Sequence, residues 1–321
     1  ELVSAGYLYR KRKKGTFVKS QFLSTDSTIK EKNKIITFIT PVDEYLCFQL
    51  IIGTQDAATK EGYCIAHYNS CNNIEKEAEY INNAFSLDVS GIIVFPAAQN
   101  QNYNNINKYF EIQQRGIPLV FVDNKPNIVT APLINSNNFE ASYFLTSKLI
   151  EKGHRKIAFF LTNEIMLPSV ESRLAGYAKA LIDNKIPFNF KYVYKEKIFE
   201  ETKYQNELTN LEFNICDAID TFFGLDNPPT AVICINDEVA SKFIHFARIK
   251  KLDIPKKMSV ASFDNSSFAI KSEVPISTMA QNFAEIGIEA TNTVINILNN
   301  KKAISKSIKM KYIERESIAT I

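Results

Sequence analysis

Between Lys34 and Asn300 the chain alternates short β-branched or aromatic runs with longer stretches in which apolar residues recur at helical spacing. The short runs suit strands buried on both faces and the longer ones amphipathic helices, so the alternation predicts βαβ units on a parallel sheet. Strands are predicted at Ile35–Ile39, Tyr63–Tyr68, Gly91–Phe95, Leu119–Val122, Leu133–Asn135, Ile157–Leu161, Tyr192–Tyr194, Ala231–Ile235, Ser259–Phe263 and Ser277–Met279. Helices are predicted at Leu50–Thr59, Glu75–Phe85, Ile106–Arg115, Phe139–Glu151, Ser172–Ile182, Asn214–Phe223, Glu238–Ile249 and Phe283–Leu298. Turn signals at Glu61-Gly62, Gly116-Ile117-Pro118, Gly153 and Pro228-Pro229 punctuate helix ends. An alternation this long predicts an α/β fold of two doubly wound parallel-sheet lobes, whose ligands gather at the carboxyl ends of the strands.

The pattern is different before Lys34. Tyr7–Arg10 and Thr16–Val18 are β-prone and flank Lys11, Arg12, Lys13 and Lys14, with Gly15 closing the turn. This predicts a β-hairpin with a cationic tip, suited to phosphate contact, although charge runs are more often only solvated. "ELVSAG" before it reads as a last helical turn capped by Gly6, and residues 19–34 read as a polar linker.

Composition narrows the function. With 321 residues and 45% hydrophobic content, the chain can bury two lobe-sized cores. A net charge of +3 makes any nucleic-acid surface a local one, at the basic start. Cys47, Cys64, Cys71, Cys216 and Cys234 are odd in number and scattered, which points to reduced thiols rather than a disulfide framework or a zinc site. No apolar run is long enough for a membrane span, and the start is too basic for a signal peptide, so the expected location is the cytoplasm, away from membranes. The sequence has no P-loop, GxGxxG, HExxH or Ser/His/Asp order. Of the histidines His67, His154 and His245, His154 in "KGHRKIAFF" reads as a structural cap. The expectation is a binding protein, with no catalytic residue, metal or cofactor.

Polar residues fall where strands end: Asp123, Asn236, Asp237, Asp264 and Gln281. Amides and carboxylates converging on one cleft suit a polyhydroxylated ligand, because each hydroxyl both donates and accepts, and Arg173 adds a fork of donors. The plainer reading of each is a helix cap or loop hydrogen bond, and for Asp237 this reading is preferred.

Two resemblances sharpen this. "ELVSAGYLYRKRKKGTFV" resembles the wing that closes the winged helix-turn-helix domain of GntR-type regulators, which implies DNA contact by Lys11, Arg12, Lys13, Lys14 and Thr16 and some fifty absent preceding residues, the recognition helix among them. The segments "GIPLVFVDN" (116–124), "LIEKGHRKIAFF" (149–160), "ESRLAGYAKAL" (171–181), "PTAVICINDEVA" (229–240), "DIPKKMSVASFDNS" (253–266) and "STMAQNFAEIGIEA" (277–290) resemble the effector domain of LacI/GalR-type repressors, a relative of periplasmic sugar-binding proteins. The combination, with "FDNSSFAIKSEVPIS", looks like the AraR-like subgroup.

The resemblance implies that Arg173, Asn236, Asp264 and Gln281 line the effector pocket, which the strand-end Asp123 would join, and that Glu44 and Tyr45 form the opposing jaw, where Phe48 could stack on a sugar face. At "NSNNFEAS" Asn137 and Asn138 stand where such repressors usually carry an Asp; Asn138 can still bond a hydroxyl but cannot hold a cation. The implied protein is a homodimeric, sugar-responsive transcriptional repressor whose partners are operator DNA and a small neutral monosaccharide. L-arabinose is favoured, with another pentose or a deoxyhexose such as L-fucose close behind. Helices Leu50–Thr59 and Glu75–Phe85 would carry the dimer contact. The expected organisation is a wing (1–18), a linker (19–33), a first lobe (34–155 plus 281–304) and a second lobe (156–280 plus 305–321). The rival reading is a free-standing sugar carrier without DNA binding.

Overall fold

The computed structural model describes residues 8–11, 15–18, 33–41, 45–97, 105–161, 167–195 and 209–321. Strands β1 (Leu8–Lys11) and β2 (Gly15–Val18) form an antiparallel hairpin in the register Leu8↔Val18 to Lys11↔Gly15. Lys11 therefore belongs to the last rung of the ladder rather than to the turn. Residues 1–33 form one compact unit and Lys34–Ile321 another.

The larger unit holds two six-stranded sheets. The first contains β3 (Asn33–Thr40), β4 (Cys64–Asn69), β5 (Val89–Val94), β6 (Leu119–Val122), β7 (Leu133–Ser136) and β13 (Lys306–Ile308), in the order β13-β7-β6-β5-β3-β4. The second contains β8 (Ile157–Leu161), β9 (Val193–Lys195), β10 (Ala231–Cys234), β11 (Ser259–Asp264), β12 (Ser277–Ala280) and β14 (Lys311–Ile313), in the order β14-β12-β11-β10-β8-β9. In the first sheet β13 with β7, β7 with β6, β6 with β5 and β3 with β4 run parallel. In the second, β9, β8, β10, β11 and β12 run parallel, and β14 joins β12 antiparallel. The central strands β5, β6 and β10 are buried along their whole length, as their unbroken apolar runs require.

Helices α1 (Tyr45–Lys60), α2 (Ile74–Ser86), α3 (Ile106–Gln114) and α9 (Phe283–Leu298) belong with the first sheet. Helices α4 (Asn138–Glu151), α5 (Pro168–Asp183), α6 (Asn210–Phe223), α7 (Asp237–Ile249) and α8 (Ser267–Lys271) belong with the second. The chain passes between lobes three times: from β7 to α4, from β12 to α9, and from β13 to β14.

These crossings differ from the expected boundaries. Ala141, Leu145, Leu149 and Ile150 of α4 enter the core of the second lobe, so that lobe begins near 138 rather than at 156. Strand β13 pairs with β7, so residues 305–308 go with the first lobe. The helix pattern around 139–151 is amphipathic whichever sheet it covers, and nothing local tells which.

Helix packing fixes the site. A Cβ on Gly176 of α5 would lie 2.2 Å from the Phe139 carbonyl oxygen, so only glycine lets α5 approach α4 this closely. Likewise a Cβ on Gly287 of α9 would lie 2.3 Å from the Leu50 carbonyl oxygen of α1.

Candidate ligand-binding site

Asp123, Asn138, Arg173, Asn236, Asp264 and Gln281 stand at strand ends or on the helices beside them. Arg173 is the hub. Its Nε donates to Asn138 Oδ1 at 2.8 Å, its Nη1 donates to the Ile235 carbonyl, and its Nη2 lies 3.6 Å from Asp264 Oδ1. The guanidinium carbon stands 4.4 Å over the Phe263 ring, a cation–π contact that leaves its donors in plane. Gln281 Nε2 donates to Asp264 Oδ1 at 2.6 Å, and Ser136 Oγ donates to Gln281 Oε1. Asn138 Nδ2 donates to the Ser136 carbonyl at 3.1 Å. The network thus joins β7 of the first sheet to α4, α5, β11 and the β12 end of the second.

Asp123 reaches the same cluster from β6, with φ 62°. Burial pushes its carboxyl up to about 6, opposed by the charge of Arg173 and aided by that of Asp264. Asn124 beside it donates to Asp123 and accepts from the Ser169 backbone N–H of α5 at 3.3 Å, tying the lobes together. Burial also raises the Asp264 carboxyl, with Arg173 and Gln281 pulling it back. Several carboxylates face one guanidinium in this cluster, which disfavours phosphate there.

Asn236 also caps α7, its Oδ1 accepting from Val239 N–H at 2.9 Å. Asp237, the first residue of α7, is wholly buried and binds loop and strand groups rather than its own helix. It accepts from Ser262 Oγ, from Thr278 Oγ1 at 2.7 Å and from the Ser266 backbone N–H at 2.6 Å. Burial and the neighbouring charge of Asp264 both push its carboxyl up. The loop-bonding reading preferred for Asp237 describes its contacts; what sequence reasoning missed is that they cradle Asp264. Ser136, Asn124 and Arg315 were missed too, and only Asn124, beside a strand-end aspartate, carried a local signal.

The opposing jaw is less complete. Glu44 lies outside the described residues, as does the side chain of Tyr45, which opens α1. Phe48 is 58% exposed on α1, so it is not a core aromatic. In the hairpin, Lys11 and Thr16 occupy strands, while Arg12, Lys13 and Lys14 lie outside the described residues. His154 is buried, with Nδ1 2.9 Å from Thr230 Oγ1 and Nε2 3.1 Å from the Ala319 carbonyl, a structural tie. Among the described residues no group of three His, Cys, Asp or Glu is placed to hold a metal ion, and no helix is long and apolar enough to cross a membrane. A separate cavity of about 660 Å³ lies beside the last crossing, lined by α4 residues, Met279 and Lys309 to Tyr312, and shares none of the cluster residues.

The arrangement offers a fork of donors, amide groups of both kinds and charged acceptors, a set that matches a small polyhydroxylated molecule. The family profile described as periplasmic binding protein-like domain matches residues 146–318. The arabinose metabolism transcriptional repressor of Halalkalibacterium halodurans is 27% identical over 303 residues, covering 94% of this chain and 78% of that protein. The repressor of the same name from Geobacillus stearothermophilus is 26% identical over 306 residues, covering 94% and 79%. Among solved structures, the transcription regulator CcpA of Lactococcus lactis superposes with a TM-score of 0.73 at 19% identity, covering 89% of this chain and 99% of that one.

Proposed function

The chain belongs to the periplasmic-binding-protein-like domain family, and from that premise we propose that it is a sugar-responsive transcriptional repressor that binds a small neutral monosaccharide between its lobes. The observation that carries this reading is the network of Arg173, Asp264, Gln281 and Asn138, which meets Ser136 of β7 and so joins both lobes at their strand ends. Relatives spanning 94% of the chain that are named as arabinose metabolism repressors support transcription control as the output and a pentose, L-arabinose first, as the ligand.

Sugar binds the closed arrangement of the lobes better than the open one, and closure changes the spacing of the DNA-binding heads in a dimer formed through α1 and α2. The hairpin β1–β2 serves as the wing of a GntR-type head, with Lys11, Arg12, Lys13 and Lys14 on phosphates and Thr16 beside them. The residue order "GTFV" after the basic turn and the antiparallel pairing support that assignment. The protein works in the cytoplasm, where its DNA is.

A thermal-shift panel of neutral pentoses, hexoses, deoxyhexoses and their phosphates tests the reading. A bound sugar at a hundred times its Kd stabilises by about 2.7 kcal/mol, so melting should rise with L-arabinose or a near relative and stay unchanged with the phosphates. A rise only with phosphates, or with no sugar at all, contradicts it.

A further inference from the structure

Asp264 and Asn265 are consecutive non-glycine residues with φ of 107° and 58°. A side chain rarely tolerates this region, and two in succession persist only when the surroundings over-determine them. Two charged groups outside the ligand cluster supply that restraint. From below, the buried carboxylate of Asp237 gathers Ser262 of β11, Thr278 of β12 and the backbone N–H of Ser266, so it grips the loop immediately after Asn265. From the side, Arg315 uses both arms of its fork: Nη2 donates to Asn265 Oδ1 at 2.6 Å and Nη1 donates to the Ile276 carbonyl at 2.7 Å. Its own backbone N–H donates to Ser277 Oγ at 2.9 Å, which fixes the segment leaving β14 against the start of β12.

We propose that Asp237 and Arg315 are positioning residues that hold Asp264–Asn265 in the one backbone conformation that presents the Asp264 carboxylate to the ligand. The proposal rests on the reading of Asp264 as a ligand contact. The Cα–Cβ direction of a residue follows its φ, so relaxing Asp264 to ordinary extended backbone would swing its carboxylate away from Gln281 Nε2, now at 2.6 Å, and from Arg173. Arg315 follows β14, the strand entered by the third crossing between lobes. Its grip on Asn265 therefore links that crossing to the ligand carboxylate, and lobe movement and carboxylate aim become coupled through one side chain.

The test uses the whole chain with L-arabinose as probe, calorimetry for affinity, melting for stability and a crystal structure of the key variant. Arg315→Ala should weaken binding roughly ten-fold, as expected for loss of a hydrogen bond to a charged group. Asn265→Ala, which removes the same bond but leaves Arg315 on Ile276, should do the same and also lower melting, since Ala fits a φ of 58° less well than Asn. Asn265→Gly takes a positive φ without strain, so adding Arg315→Ala to it should cost little further affinity. Asp237→Asn should weaken binding while Asp264→Ala abolishes any added effect of Arg315→Ala. The structure of Arg315→Ala should show Asp264 out of reach of Gln281. An unmoved carboxylate, or full affinity in both Arg315→Ala and Asn265→Ala while Asp264→Ala is impaired, overturns the positioning role alone. Full affinity in Asp264→Ala overturns instead the reading on which it rests. If L-arabinose does not bind the wild type, the position of the carboxylate in the variant structure decides.

Discussion

Arg173 Nη2 and Asp264 Oδ1 stand 3.6 Å apart with their side chains only 8% and 12% exposed. Burying such a pair costs heavily in desolvation and is repaid only when the remaining donors and acceptors are matched. Here Asn138, Ile235 and Gln281 supply the matching bonds. The sequence places residues 173 and 264 far apart, so their meeting is a product of the fold.

Arg173→Ala should therefore weaken sugar binding by roughly 10- to 150-fold, the worth of one hydrogen bond to a charge. It should also destabilise the free protein by about 3–5 kcal/mol, because a buried carboxylate is left without its partner. Calorimetry and urea unfolding measure the two effects. Arg173→Lys should recover little of the affinity, since one ammonium nitrogen cannot reproduce the separate Nε, Nη1 and Nη2 contacts of the planar fork.

The acidic cluster should respond to pH. Burial holds Asp123 up at about 6 and raises Asp237 and Asp264 above the ordinary carboxylate range. The folded protein then keeps these protons when the unfolded chain has released them, so the stability contributed by Asp123 and Asp237 falls as pH rises from about 4 through about 6, and Asp264 adds a fall in the same direction. The wild type should lose more melting temperature over this interval than Asp123→Asn. Sugar affinity should run the other way, roughly five-fold weaker at low pH, where the acceptors lose their charge. Calorimetry in buffers of different ionisation enthalpy should detect proton release on binding. Identical pH slopes in wild type and Asp123→Asn would refute this.

Gly176→Ala tests how packing sets the site. The added methyl would meet the Phe139 carbonyl oxygen at 2.2 Å, so α5 must shift away from α4. Overpacking of this kind costs about 1–3 kcal/mol. The shift also parts Arg173 from Asn138, so affinity for sugar should fall although neither residue is altered.

In the hairpin, Lys13→Ala with Lys14→Ala should weaken binding to every duplex sequence alike. The slope of log K against log salt should become shallower by about 0.9 for each phosphate that the variant no longer neutralises. An unchanged slope would make the hairpin a solvated one.

The strands and helices of the central α/β alternation were legible because each βαβ unit repeats one pattern: β6, β8 and α9 fall on the predicted residues. The edge strands β4 and β9 were legible as well, but the shortest late elements were not. Strands β13 and β14 are three residues each, with Lys306, Ser307 and Lys311 facing out of any apolar pattern, and α8 is five residues long. Helix α6 starts at Asn210 rather than at Asn214, and its capping box is the reason: Thr209 N–H donates to Glu212 Oε2 at 2.8 Å while the Thr209 side chain accepts from the Glu212 backbone. In the site, Asp123, Asp264 and Gln281 were visible as polar residues at the ends of apolar strands, while Arg173, on a helix, was marked by the resemblance. Asp237 and Arg315 were not distinguishable from a cap and a surface charge, because their partners Ser262, Ser266, Thr278 and Asn265 are far from them in sequence.

The most direct test of the account is calorimetric titration of the whole chain with L-arabinose and with arabinose 5-phosphate, repeated on Asp264→Ala. One saturable site is expected for the free sugar and none for the phosphate, with affinity weaker by roughly ten-fold or more in the variant. Tighter binding of the phosphate, or undiminished sugar binding by Asp264→Ala, would contradict it.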